Sequence, residues 1–234
     1  MSFLYPITLV LFLIIYIVVC LLMHRFKNQF ITNLVFFLIS FVCYLALVVY
    51  LYFHDGPNDW NFTNALPVAN ISPFMFFTSF VFFLLPKKIR KYHALLVSLL
   101  SVGMILSPTI MMMRNFVINY RFISSFLLDY TSHFAFSLWG VYIIQSKQVE
   151  LKEKDCLISG SLIIGVALTM LIINLIFDTS FFGLSLRGKH NIYNQVLVSN
   201  SFLSALIYFA GLIIVLLFGF FFQKLLLKAL KKQK

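Results

Sequence analysis

Residues 121–140 read RFISSFLLDYTSHFAFSLWG, an aromatic run of membrane-spanning length with Asp129 and His133 set inside it. Four residues apart on a helix, the two side chains share one face, one turn above the other. An ionised group at the centre of a bilayer costs about 3 kcal/mol on insertion scales, and groups that persist there face a protein interior or a wet cavity. The stretch therefore sets two expectations: the chain around it is a bundle of membrane helices, and this pair lies within the bundle.

Composition carries the first expectation through the rest of the chain. Of 234 residues, 62% are hydrophobic and only 11% charged, the mean hydropathy is +0.98, and Phe alone occurs 29 times. A soluble domain sits nearer half apolar and a quarter charged. Apolar runs long enough for a bilayer core recur at about residues 3–23, 30–53, 62–85, 94–113, 122–145, 157–177 and 196–222. The segments between them are too short to fold alone, so one polytopic domain over 1–234 is expected, an all-α bundle of seven transmembrane helices. The first run lacks a basic leader and a small-residue cleavage site, and is expected to be a retained helix.

A net charge of +11 would suit a nucleic-acid binder if it were clustered on a soluble face, but here it sits at helix ends. With the spans above, fourteen of the eighteen Lys and Arg fall on one side, in 25–27, 87–91, 147–154 and the tail from Lys224. Only Arg114, Arg121, Arg187 and Lys189 fall on the other. Such an imbalance places the N-terminus outside and the C-terminus in the cytoplasm of a multi-pass plasma-membrane protein, with no nucleic acid as partner. The tail QKLLLKALKKQK is basic and amphipathic, suited to an anionic inner leaflet. Cys20, Cys43 and Cys156 lie in or at the inner end of spans, so no outer disulfide framework is expected. No CxxC or HExxH pattern occurs, and neither a metal nor another cofactor is implied.

Polar residues gather in the outer halves. Span three opens NALPVANISP, where Pro67 and Pro73 predict kinks or freed carbonyls around Asn70 and Ser72. Gly56 and Pro57 are expected to stop span two before it. Span four carries Gly103, suited to close helix approach, and Ser107-Pro108-Thr109, a second kink. Span six carries Gly160 and Gly165, which suggest tight packing, and Asn174 near its outer end. The inner halves read as nearly free of polar groups. Residues 178–195 form the longest outer connection, either a cover over an outward opening or an ordinary interfacial loop. The pattern predicts an outer-half polar cavity, with Arg114, Arg121 and Arg187 at its mouth to hold a phosphate or similar anion. Within it, Asp129 and His133 suit three roles: a base with its orienting carboxylate, a buried latch between helices, or a proton relay.

Several segments, taken in order, resemble the YwaF-like integral membrane family of bacteria, which is related to a eukaryotic transmembrane acyltransferase of ether phospholipids. Leu66-Pro67 in NALPVANIS is similar to that family's LP-x-x-LC segment, and Gly103 with Ser107-Pro108 resembles its G-x-x-x-(S/T)P segment. Arg121-Phe122 followed by Ser132-His133 resembles its RF…H segment, and Asn174 with SFFGLS its N…NYMFL ending. The chain departs from the pattern at Ile71, where the family carries its Cys, and an ungapped count from Arg121 puts the family's His on Asp129. The resemblance implies lipid or lipid-like anion binding and acyl transfer on phospholipid. His133 would be the base, Asp129 its orienting partner and Ser72 the adjacent hydroxyl, with Asn70, Ser107, Asn174, Arg114 and Arg121 binding substrate. Membrane lipids are the expected partners. Two other functions fit the same residues, a small-solute transporter or capture component and a non-catalytic membrane assembly partner.

Overall fold

The apolar runs fold into helices that alternate in direction and gather their charged ends at one pole. The computed structural model describes residues 4–59, 70–116, 123–179, 181–184 and 201–231. The helices are α1 (Leu4–Leu22), α2 (Gln29–Asp59), α3 (Ile71–Phe82), α4 (Lys87–Phe116), α5 (Ile123–Gln145), α6 (Glu153–Phe177) and α7 (Ser201–Lys231), with short 3-10 turns at Met23–Arg25 and Phe181–Gly183. Among the described residues all regular structure is helical. Four stretches, Gln29–Phe53, Lys87–Leu106, Glu153–Phe177 and Phe202–Ala229, are long and apolar enough to cross a membrane, and Val10–Leu22 and Ile71–Phe82 are shorter apolar helices. The chain is thus an all-α protein of membrane type.

The helix that carries Asp129 and His133, α5, lies in the interior. Every residue of α5 from Ser132 to Ile144 is buried. α5 packs most extensively against α4 and α2, and also meets α1 and α7. Walled by protein on all sides, it tolerates serines, a histidine and a tryptophan that a lipid-facing helix would reject. α4 is the second central helix, packed against α5, α7, α6 and α3.

Close approach of α4 and α7 rests on two reciprocal glycines. A Cβ at Gly103 would strike the Val215 side chain, and one at Gly219 would strike the Leu99 carbonyl. Each helix thus seats a residue of the other in the space a side chain would fill, the small-residue packing that brings membrane helices together. Gly165 differs from the expectation of tight packing, since a Cβ there would meet nothing within 4 Å.

One pole is tied by polar contacts and holds most of the basic residues; we call it the basic end. Lys91 pairs with Asp155 at 3.0 Å, joining α4 to α6, and Lys224 pairs with Glu153 at 3.0 Å, joining α7 to α6. Gln29 Nε2 donates to the Ser146 carbonyl at 3.0 Å, joining α2 to the loop after α5. Arg90 closes α3 by donating through Nε and Nη2 to the Leu85 carbonyl at 3.1 and 2.8 Å, with its guanidinium 5.6 Å above the Phe82 ring.

Proline behaves differently from expectation at three places. Pro73 is the third residue of α3, whose N-cap is Asn70, so its missing N–H falls in the first turn and the helix starts there without a kink. Pro67, with the rest of 62–69, lies outside the described residues. α2 runs on to Asp59, past Gly56 and Pro57, instead of stopping at them. α4 is likewise a single helix through Pro108.

Candidate functional site

Asp129 and His133 lie one turn apart on the half of α5 away from the basic end. His133 Nδ1 stands 2.8 Å from the Asp129 carbonyl oxygen and 3.2 Å from the Asp129 carboxylate oxygen Oδ1. A carbonyl only accepts, and so does a carboxylate, so Nδ1 carries a proton and donates it. In the neutral ring the lone pair then sits on Nε2, the nitrogen able to take up a proton. Ser132 Oγ donates to the same Asp129 carbonyl at 2.7 Å and lies 3.3 Å from Nδ1. Main chain, carboxylate and hydroxyl therefore fix both the tautomer and the orientation of the ring.

The surroundings of the imidazole are aromatic. The Phe76 ring of α3 meets it edge to face with centroids 5.3 Å apart, and Tyr44 of α2 packs on Phe76 at 5.1 Å. The Tyr44 phenol lies within electrostatic reach of the Asp129 carboxylate. His133 keeps 9% of its side-chain surface, whereas Asp129 keeps 30%, so the carboxylate is the less enclosed partner. On α4, facing Tyr130 of α5, Thr109 Oγ1 donates to the Ile105 carbonyl at 2.7 Å. Its single proton is thereby committed, and the Tyr130 hydroxyl 3.2 Å away donates to it.

The other candidate residues do not converge on this pair. Asn70 caps α3 with its backbone and is exposed; its side chain makes no capping bond. Ser72 is half-buried in the first turn of α3, and among the described residues no hydrogen bond joins it or Asn70 to Asp129 or His133. Ser107 and Arg114 lie on α4, with side chains outside the described set, and Arg121 lies outside the described residues.

Asn174 is fully engaged elsewhere. Its Oδ1 accepts from the Phe181 amide at 2.8 Å and from Thr179 Oγ1 at 2.7 Å. Its Nδ2 donates to the carbonyls of Phe181, at 2.8 Å, and Leu184. All four hydrogen-bonding positions of the amide hold Thr179, Phe181 and Leu184 against the end of α6, which leaves none for a solute. Phe182 and Leu184, both fully buried, pack that segment onto the bundle, with Phe182 against Phe74 of α3 at 5.6 Å.

The basic half is also more polar than its sequence suggests. Trp139 Nε1 donates to Asn33 Oδ1 at 3.0 Å, Asn33 Nδ2 donates to Gln148 Oε1 at 2.7 Å, and Gln148 Nε2 returns a bond to Asn33 Oδ1 at 3.2 Å. Gln223 of α7 donates to the Ser98 carbonyl and Ser101 Oγ at 3.3 and 3.2 Å. These amides staple α2 to α5 and α7 to α4. Their partners lie more than a hundred residues apart in the chain, so no local spacing reveals them.

Fold and site together define an all-helical membrane-type protein with an interior carboxylate–imidazole pair of fixed tautomer. Comparison with protein-family models, with curated proteins and with solved structures gave no match.

Proposed function

We propose that this is a seven-span plasma-membrane protein, N-terminus outside and C-terminus cytoplasmic, that binds a lipid or lipid-like anion beside the Asp129–His133 pair and transfers an acyl group on phospholipid. The observation that carries this reading is the Nδ1–H bond to the Asp129 carbonyl, which leaves His133 Nε2 as proton acceptor in an aromatic, water-poor setting. A base so placed takes a hydroxyl proton as the oxygen attacks an acyl carbonyl and returns it to the leaving group, while Asp129 stabilises the imidazolium between the two steps. Ser72 has no hydrogen bond to the ring, so the hydroxyl of a bound acceptor lipid is the better supported nucleophile. The resemblance of NALPVANIS, GMILSPTI and RF…SH to the YwaF-like family points to the same substrate class.

The test compares acyl-chain profiles of a deletion strain complemented with the wild-type chain or with His133→Gln. We expect wild type to restore a profile that His133→Gln does not. Identical profiles in all strains would sink the catalytic reading. A second reading, a proton-coupled small-solute carrier, draws on the 30% exposure of the Asp129 side chain, which allows the pair to exchange protons with a wet space. Solute uptake that is lost in Asp129→Asn, with lipids unchanged, would select it.

A further inference from the structure

Lys154, Leu157, Ile158, Ser161 and Leu162 recur along α6 at the spacing of one helix face. The opposite face, with Cys156, Ser159, Gly160, Ile163 and Ala167, is buried in the bundle. The five outward residues line a shallow concavity of about 520 Å³. Lys154 stands at its basic-end margin, and its neighbours show why its charge matters. Lys91 pairs with Asp155, Lys224 with Glu153 and Lys152 with Glu150, each at 3.0 Å. Those pairs engage every acid between residues 150 and 155, and among the described residues Lys154 has no ion pair. Beyond the concavity the face continues through Leu168 and Ile172, both exposed, and is notched at Gly165, where a Cβ would find open space. From Leu157 to Leu168 the helix rises about 16 Å, close to half the thickness of a bilayer's hydrocarbon core.

We propose that this face of α6 binds one anionic phospholipid, its headgroup phosphate on the Lys154 ammonium and one acyl chain along Leu157, Ile158 and Leu162 toward the Gly165 notch. Charge complementarity selects the occupant. The apolar wall accepts any acyl chain, but the unanswered cation at its head favours a lipid of net negative charge over a zwitterionic one. The lysine stem lies along apolar surface while its ammonium reaches headgroup level. The site is distinct from the Asp129–His133 pair and does not depend on the acyl-transfer reading.

The test uses the full chain in mixed phosphatidylglycerol and phosphatidylcholine, with retained lipids counted by native mass spectrometry. Wild type should retain phosphatidylglycerol in preference, and Lys154→Gln should lower that preference about five-fold, the effect of one basic side chain near a membrane surface. Gly165→Phe should lower retention of both lipids by filling the notch. Lys27→Gln, on the α1–α2 turn, should leave the preference intact. An unchanged preference in Lys154→Gln, or an equal loss in Lys27→Gln, overturns the site. So does a wild-type dimer that Leu162→Lys dissociates, because a second copy would then cover the face.

Discussion

Asn174 shows how a side chain's role is set by what lies a few residues further on. In the sequence it is a polar residue near the outer end of a span and looks available to a ligand. In the structure its amide gathers Thr179, Phe181 and Leu184 into a cap on α6. The cap depends on two residues in the left-handed region, Asp178 at φ 52° and Phe182 at φ 57°. Asp is tolerated there, but a phenylalanine costs about 1–2 kcal/mol, so nothing local in SFFGLS announces the turn. Burial of the Phe182 ring and the four amide bonds together hold it. Asn174→Ala should therefore destabilise the protein by about 3 kcal/mol, since it leaves buried main-chain groups without partners. Hydrogen exchange in detergent should rise first at residues 179–184. Unchanged protection in that segment would show that ring packing alone suffices. The Asp129–His133 pair was legible for a simpler reason: its i, i+4 spacing is local, and so is the bond that fixes the tautomer.

At the level of helices, glycine means opposite things on α7 and α6. Gly219 lies against the Leu99 carbonyl, so Gly219→Ala must push α4 and α7 apart, at a cost of about 3 kcal/mol. Gly165 faces open space, and Gly165→Ala should stabilise α6 by up to about 1 kcal/mol through helix propensity. Thermal unfolding of the two variants in one detergent should show a lowered midpoint for the first and an equal or raised midpoint for the second. Gly103, which meets Val215, and Gly165 read alike in sequence, because a glycine in a span reports that a close approach is possible without showing which face meets a partner. The α2–α5 staple gives a third measurement. Trp139→Phe keeps the ring packed near Phe37 and Phe82 but deletes the donor to Asn33, and should cost about 1 kcal/mol. A loss several times larger would mean that the Asn33–Gln148 amide pair collapses with it.

For the molecule as a whole, what was legible followed from length and hydropathy, and what was hidden followed from burial. Among the described residues seven α-helices occur in the order of the seven apolar runs, and four of them hold stretches long and apolar enough to cross a membrane, because a long apolar run satisfies its own backbone best as a helix. The interior place of α5 was not readable from apolarity, because a helix screened by α1, α2, α4 and α7 no longer needs an apolar surface. The distribution of Lys and Arg yields the last prediction. Lys27 lies on the α1–α2 turn at the basic end, and Asn70 is exposed at the N-terminus of α3, at the opposite pole. In a background with Cys20, Cys43 and Cys156 replaced by Ala, Lys27→Cys and Asn70→Cys place single thiols at the two poles. If the excess of basic residues holds one pole in the cytoplasm, a membrane-impermeant maleimide added to intact cells labels Asn70→Cys and spares Lys27→Cys until the membrane is opened. The reverse pattern would invert the proposed orientation. Labelling of both thiols in intact cells would break the alternation of helices across the bilayer, and the assignment of seven spans with it.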